Sequence, residues 1–540
     1  MDDNSLFKLE SGSIDEASTV VKDFAEKHSQ TYSFHENDKE TLERLWAALF
    51  RRLENENSEA CHKYCLICIR LLSRDKVGLC DHVTEKRVET LLKLAGLVPQ
   101  EEALSKASQK SADRDVMLEA LKALCNIVYN SPQAQAICGQ NHAVEAVIIR
   151  MRTYPEGGWP ITLKYFDMKL LFLITALCSS VRPTLRGPLH GYTYLVESLD
   201  LILKESKGKP LTGEQVQFVC EILKVLFNLS LGANQTEEEP HHIRLGAILY
   251  QLLLLKSSNP AELNMHAVNL LVSLPGSCYS ELLTLADRLC PPELECEGYN
   301  MAVVEIILEL LDEKLEDQVI KKHPESLCPL LTVLAKGARY QRPIRKFLRA
   351  RILPPLGEQV LTRPEEGDTM RNKLCRLLTA ANPDTNISQL AADLLFVLCK
   401  ENVGRMVKYT GYGNAAGLLA NRGLMLGGDG KKPDGYSSDS EDSDTEEYQK
   451  YRDSVNPVTG CYEPPKPDPT AGMSDEQKEY EAMQLVNMMD QLTRDGLLQP
   501  CRIGEDGRPE PVVHVLQLLE ELPPEFRQQK NTFDDSNTES

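Results

Sequence analysis

The stretch Leu121-Lys-Ala-Leu-Cys-Asn126-Ile-Val returns further along the chain as Leu223-Lys-Val-Leu-Phe-Asn228-Leu-Ser, with looser relatives between and beyond. The shared pattern is Leu-x-x-Leu-x-Asn-aliphatic. Leucines at i and i+3 with an aliphatic at i+6 lay one apolar stripe along a helix, and the Asn falls beside that stripe. Asparagine is a poor choice inside a helix because its amide competes for backbone hydrogen bonds, so its recurrence points to a use. In stacked helical repeats that use is an amide facing a groove, where it can bond the backbone of a bound peptide.

Working outward, Leu170-Leu-Phe-Leu173-Ile-Thr175 aligns with the same motif, so the recurring position reads Asn126, Thr175, Asn228 and, more loosely, Asn269. The steps between them are 49, 53 and 41 residues. That irregular spacing near the ~40–47 residues of armadillo and HEAT units predicts an all-α, right-handed helical solenoid of roughly nine repeats. A compact multi-domain helical protein is the alternative. With 540 residues the chain exceeds what one core can organise. Its 6% aromatic content and 2 Trp suit Leu/Ala-rich helix packing better than a β-sandwich. Helices are expected at about 16–28, 39–54, 116–130, 164–182, 216–231, 243–256, 263–274, 300–314, 324–338, 343–350, 371–381 and 388–401, with breaks at Pro/Gly clusters such as Pro354-Pro355.

Charge separates body from tail. Of the formal −20, residues 427–540 carry −15 and the first 426 only −5. Neither part offers the positive field that phosphate backbones need, so no nucleic-acid partner is expected. No apolar run approaches a membrane span, and the N-terminus lacks the basic and apolar regions of a signal peptide. The 16 Cys then read as core thiols of a reducing compartment. Cys61, Cys65 and Cys68 fall at i, i+4 and i+7 on one helix face; with His62, Cys80 and His82 they match no zinc module, so no metal is expected there. Arg70 and Arg74, four apart and off that stripe, form a candidate cationic pair.

Gly411-Tyr-Gly413-Asn-Ala-Ala416 satisfies a dinucleotide fingerprint, but no buried strand precedes it and no ribose-binding acid follows. A glycine-permitted turn between terminal helices is the better reading, and no cofactor is expected. No catalytic motif appears, so an enzyme is not expected. Lys336–Arg351 holds seven basic residues in sixteen and no acidic one. Arg342, Arg345, Lys346 and Arg349 therefore form a candidate dock for phosphate. The run Ser437–Glu447 cannot bury a core and should be disordered. There Ser438 and Ser443 each have a glutamate at +3, the arrangement an acidophilic kinase of the casein-kinase-two type reads. The domain reading is a solenoid over 1–426, an acidic disordered linker over 427–472 and a tail over 473–540. Asn456-Pro-Val-Thr-Gly460 and Pro464–Pro469 read as linker of limited flexibility. Amphipathic helices are expected at 474–494, behind a Ser474–Gln477 capping box, and at 512–522. Their apolar faces must dock on the solenoid or on a partner.

Longer strings add a resemblance. Lys408-Tyr-Thr-Gly-Tyr-Gly-Asn-Ala-Ala-Gly-Leu-Leu-Ala-Asn-Arg-Gly-Leu424, Arg371-Asn-Lys-Leu, Phe166-Asp-Met-Lys-Leu-Leu-Phe-Leu, His266-Ala-Val-Asn-Leu-Leu, Asn456-Pro-Val-Thr-Gly and Glu476-Gln-Lys-Glu-Tyr-Glu-Ala-Met closely resemble the synembryn family (resistance to inhibitors of cholinesterase, member eight) over nearly the whole chain. The resemblance implies a cytosolic armadillo/HEAT-type protein, with recruitment to the cell cortex as a further expectation. It implies a chaperone of heterotrimeric G-protein α subunits that also exchanges nucleotide on the GDP-bound form free of βγ. It further implies a concave groove that grips the Gα C-terminal helix and so loosens the guanine site. Arg70, Arg74 and Asn126 match groove positions of the family motif, and the repeat extends that role to Asn228 and Asn269. In the acidic run the chain departs from the family, with Ser440 where an acid is commoner and Ser443 where Thr is. The competing function is a passive peptide-binding scaffold without effect on nucleotide.

Overall fold

The computed structural model describes residues 2–34, 39–101, 113–156, 158–232, 239–379, 385–427, 444–464, 469–470 and 472–512. They form two compact units, Met1–Thr284 with Ala302–Ile307, and Leu285–Met301 with Leu308–Ser540. Both are all-α repeats of the armadillo/HEAT type with a few two- or three-residue strand pairs.

The first unit is built on a row of helices, α1 (Ile14–Lys27), α2 (Glu59–Leu72), α3 (Arg114–Asn130), α4 (Ile161–Leu177), α5 (Gly213–Ser230) and α6 (Pro260–Ser273), of which α3, α4 and α5 carry the Leu-x-x-Leu stripe. Each packs on the next. A second row, including Ala143–Arg152, Gly191–Ser206 and Glu239–Leu254, covers them from the other side. Helix starts follow local chemistry. Ser13 with Glu16 and Thr212 with Gln215 close capping boxes, and Asn259 caps α6 ahead of Pro260. Cys61, Cys65 and Cys68 are fully buried on one face of α2, as their spacing predicts. Leu121, Leu124, Leu223 and Leu226 of the opening motif are buried likewise.

The second unit contains α7 (Leu327–Tyr340), α8 (Arg342–Ile352), α9 (Met370–Thr379), α10 (Thr385–Leu398), α11 (Val403–Thr410) and α12 (Tyr412–Arg422), with α10 packed against α7, α8 and α9. A short hairpin, β1 (Glu295–Cys296) with β2 (Tyr299–Asn300), belongs to it. The expected turn between terminal helices is present at Gly411, whose φ is +74°. Of the stretch expected as linker, 444–464 lies among the described residues and carries its own elements. α13 (Glu446–Tyr451) is followed by a hairpin of β3 (Val455–Asn456) and β4 (Cys461–Tyr462). Asn456 Oδ1 accepts from Val458 N (2.9 Å) and Gly460 has φ +70°, so Asn-Pro-Val-Thr-Gly makes a closed turn rather than a spacer.

That turn explains the fingerprint-like glycines. Tyr412 N donates to Pro457 O (2.7 Å) and Gly413 N to Val458 O (2.9 Å), so the free N–H groups at the start of α12 are filled by the chain itself. A Cβ at position 411 would lie 2.9 Å from the Gly460 nitrogen. Downstream, α14 (Asp475–Arg494) opens with the Ser474–Gln477 box as expected, and none of its residues is buried. Tyr480, Met483, Leu485 and Met488 lie open. β5 (Cys501–Ile503) and β6 (Pro509–Pro511) close a last hairpin, and the helix expected at 512–522 lies outside the described residues beyond Val512.

Candidate functional site

The opening motif is longer than its leucines. Glu119-x-x-Lys122-x-x-x-Asn126 on α3 repeats as Glu221-x-x-Lys224-x-x-x-Asn228 on α5, and i, i+3, i+7 share one helix face. Each glutamate is almost buried, at 7% and 5% exposure, and accepts from its own lysine at 2.7 Å. Glu119 also takes Arg70 Nε of α2 at 2.8 Å. The lysines stay partly open and lie over aromatic rings of α4: Lys122 sits 5.7 Å from the Phe166 centroid and Lys224 4.6 Å from that of Phe172. Between them Lys169 bonds Tyr165 Oη at 3.2 Å. Burial opposes the charge on Lys169, but the Tyr165 hydroxyl and Glu221 outweigh it and hold its pKa above the ordinary lysine value.

Four cations, Arg70, Lys122, Lys169 and Lys224, thus come one each from α2, α3, α4 and α5, against two near-buried carboxylates. The surplus is positive, and the flanking rings give it an apolar floor. Such a stripe has the chemistry to take a segment carrying carboxylates and aliphatic side chains, through charge-assisted bonds and apolar contact.

The asparagines do something other than line this stripe freely. Asn126 Nδ2 donates to Arg70 O (3.1 Å), and Asn130 Nδ2 to Ser73 O (2.8 Å). Asn228 Nδ2 donates to Thr175 Oγ1 (3.0 Å) and Phe172 O (3.4 Å). Each amide therefore ties its own helix to the C-terminal part of a preceding helix of the row, Asn126 sharing Arg70 O with the Ser73 hydroxyl and Asn228 sharing Phe172 O with the Thr175 hydroxyl. Because Asn228 is only 7% exposed, its reading as an open groove amide is corrected to that of a brace. Asn126 is half-buried with one Nδ2 proton committed to Arg70 O, and Asn269 on α6 is half-buried. Arg70 and Arg74, expected as a cationic pair, have different partners. Arg70 joins Glu119, whereas Arg74 donates to Ser29 O (2.8 Å) and lies 5.0 Å over the Tyr32 ring, tying down the segment after α1.

The phosphate dock is also corrected. On α8 Arg345 and Arg349 are 5% and 8% exposed, with Arg345 Nη1 donating to Ala338 O at 2.9 Å. Arg342 and Lys346 both reach Glu297, at the tip of the β1–β2 hairpin, at 3.1 and 3.3 Å. The counter-charge comes from outside the run, which a local count of charges cannot see. Ser438 and Ser443 lie outside the described residues. Just after them Asp444 pairs with Lys408, and Tyr448 is buried with Lys408 Nζ 4.7 Å over its ring.

Lys122, Lys169, Lys224, Glu119 and Glu221 were missed by sequence reasoning. The signal was available, since the Glu-x-x-Lys pair precedes the asparagine in both copies.

A family profile described as guanine nucleotide exchange factor synembryn (Ric8) matches residues 65–508. The chain is 40% identical to chaperone Ric-8A of Gallus gallus, over 94% of this chain and 95% of that one. It is 39% identical to chaperone Ric-8 of Drosophila melanogaster, covering 98% and 100%. Among solved structures, a chain from a study of a phosphorylation switch between cadherin and β-catenin overlaps 79% of this chain and 74% of its own, with 12% identity and a TM-score of 0.47. Among the described residues no helix is long and apolar enough to cross a membrane.

Proposed function

Because the chain belongs to the synembryn family of guanine nucleotide exchange factors and Ric-8 chaperones, we propose that it binds heterotrimeric G-protein α subunits through their C-terminal segment and promotes release of GDP. The observation that carries this reading is the stripe of Arg70, Lys122, Lys169 and Lys224 on successive inner helices, beside Phe166 and Phe172. A C-terminal helix presents a terminal carboxylate and aliphatic side chains, which is what that stripe fits. Asn126 and Asn269 flank it and offer amide oxygens to the bound backbone.

Exchange on this reading is a matter of differential affinity, with no covalent step. Holding the C-terminal segment away from the nucleotide domain favours the nucleotide-free state by as much as the two affinities differ. The same grip on a nascent α subunit is chaperoning. Ser438 and Ser443, with glutamates at +3, remain the proposed acceptors for an acidophilic kinase.

The test measures GDP release from purified Gα with and without the protein, alongside calorimetry with a Gα C-terminal peptide. Lys122→Glu with Lys224→Glu should weaken peptide binding by roughly 2–4 kcal/mol and slow GDP release. Unchanged peptide affinity removes the stripe as the site. Intact peptide binding without any acceleration of GDP release makes the protein a passive scaffold.

A further inference from the structure

Beyond Lys224 in the same row, α5 and α6 bring together three side chains that the stripe does not use, one from the core and two nearer the surface. Cys220 lies on α5, and Glu262 and His266 lie one turn apart on α6. The thiol sulfur, a carboxylate oxygen and an imidazole nitrogen all fall within 4.8 Å of one another. Cys220 is 2% exposed, His266 half-buried and Glu262 open, so the cluster has a floor and a solvent-facing mouth. Asn259 Nδ2 donates to Glu262 Oε2 at 2.7 Å and steadies the carboxylate from behind. Sequence reading placed candidate ligands only around Cys61, because Cys220 and His266 are far apart in the chain.

We propose that Cys220, Glu262 and His266 form a site for a zinc-type divalent cation that bridges α5 and α6. A sulfur, nitrogen and oxygen set of three protein ligands suits zinc, with water in the fourth place, whereas calcium and magnesium call for oxygens alone. Zinc holds such donors about 2.0–2.3 Å away, so the three must close by roughly an ångström, within reach of rotation about the exposed Glu262 side chain. The thiol of Cys220 is protonated before metal binds, as an ordinary cysteine is at neutral pH. Coordination displaces its proton to water and leaves a thiolate on the ion. The bound ion would pin the two helices beside Lys224.

The experiment uses the full chain, reduced and stripped of metal with a chelator, and titrates it with cobalt(II) as a spectroscopic stand-in for zinc. One equivalent should raise a sulfur-to-cobalt charge-transfer band, and added zinc should erase it. Cys220→Ser should abolish the band, and His266→Ala should weaken cobalt affinity by at least about 100-fold, the top of the range seen for lost outer-shell contacts. Cys501→Ser, at the exposed cysteine, should change nothing. Zinc should also raise the thermal midpoint of the wild type but not of His266→Ala. A band that persists in Cys220→Ser or His266→Ala overturns the site, as does a wild type that takes up no cobalt. Should Cys220→Ser misfold, Glu262→Gln at the surface still decides, since an unchanged cobalt affinity there refutes the proposal.

Discussion

Replacing Arg150 with Met should destabilise the first unit by about 3–5 kcal/mol, through a carboxylate on the back of α4. Asp167 is wholly buried, and its two oxygens take Arg150 Nη2 and Tyr154 Oη, the latter at 2.8 Å. Arg150 is 4% exposed on its side chain and also gives Nη1 to Ala95 O at 2.6 Å. Without the guanidinium, Asp167 keeps one hydroxyl for an ionised group far from water. Tyr154→Phe removes only that hydroxyl and should cost about 1.5–3 kcal/mol, the worth of a hydrogen bond to a charge. Asp167→Leu alone strands the buried guanidinium and should cost about 3–5 kcal/mol as well, whereas Arg150→Met with Asp167→Leu removes both charges and should cost no more than about 1–2 kcal/mol, far less than the two single costs together. Trp159 is the natural reporter, since Arg150 lies 5.5 Å from its ring and its Nε1 bonds Thr153 Oγ1. In a Trp46→Phe background it is the sole tryptophan, and urea unfolding followed by its fluorescence reads this region. Additive single and double costs, or an Arg150→Met cost below about 1 kcal/mol, would falsify the view that this ion pair fixes α4 and with it Lys169 and the Phe166 and Phe172 rings.

Three further outcomes follow from particular contacts. Burial raises the Asp167 pKa above its ordinary value against the opposing pull of Arg150 and Tyr154, so the native state binds the proton more tightly than the unfolded one. This group's penalty is then complete above its native pKa and is relieved as pH falls toward 3.8; wild type should show this falling stability with rising pH in that window, and the Arg150→Met, Asp167→Leu double variant should lack it. Asn228→Ala removes the amide that donates to the buried Thr175 hydroxyl and to Phe172 O, and should cost about 0.5–1.5 kcal/mol, seen as faster amide exchange in the C-terminal part of α4; no change there removes the brace. Gly411→Ala forces a Cβ to within 2.9 Å of the Gly460 nitrogen at a φ of +74° and should expose 452–464 to limited proteolysis, whereas a protease-resistant variant would mean that the turn docks elsewhere.

The inner row was legible because it is repetitive. The expected helices at 16–28, 116–130, 216–231 and 263–274 fall within three residues of α1, α3, α5 and α6, and 39–54 matched the observed Lys39–Glu54. Much of the covering row was not. Ala143-Val-Glu-Ala-Val-Ile-Ile is short and β-branched, a pattern in which a buried strand and a buried helix look alike. Gly191-Tyr-Thr-Tyr opens a helix with residues that favour turns and strands, and only the packing of Leu195, Leu199 and Ile202 overrides them. The ordered hairpin at 455–462 was read as linker because what fixes it, the carbonyls of Pro457 and Val458 meeting the start of α12, lies far away in sequence.

The same distance in sequence separates the two readings of positive charge. Lys336–Arg351 is the more basic stretch by count, yet Glu297 arrives from another segment to take Arg342 and Lys346, and α8 turns Arg345 and Arg349 inward. The stripe on α2 to α5 has fewer cations and one from each helix, so no local window flags it. There the chain supplies two carboxylates for four cations, and one oxygen of Glu221 has no hydrogen-bond partner among the described residues. The two copies differ for a structural reason. Asn126 donates to Arg70 O and Asn228 to Phe172 O, so Phe172 stands where Arg70 stands one brace earlier and cannot satisfy the second oxygen. A bound segment with a carboxylate near Lys122 and an N–H donor near Glu221 would complete both ends. Partner chemistry is therefore set by which in-chain charges are left uncompensated, and that quantity appears only once the helices are stacked.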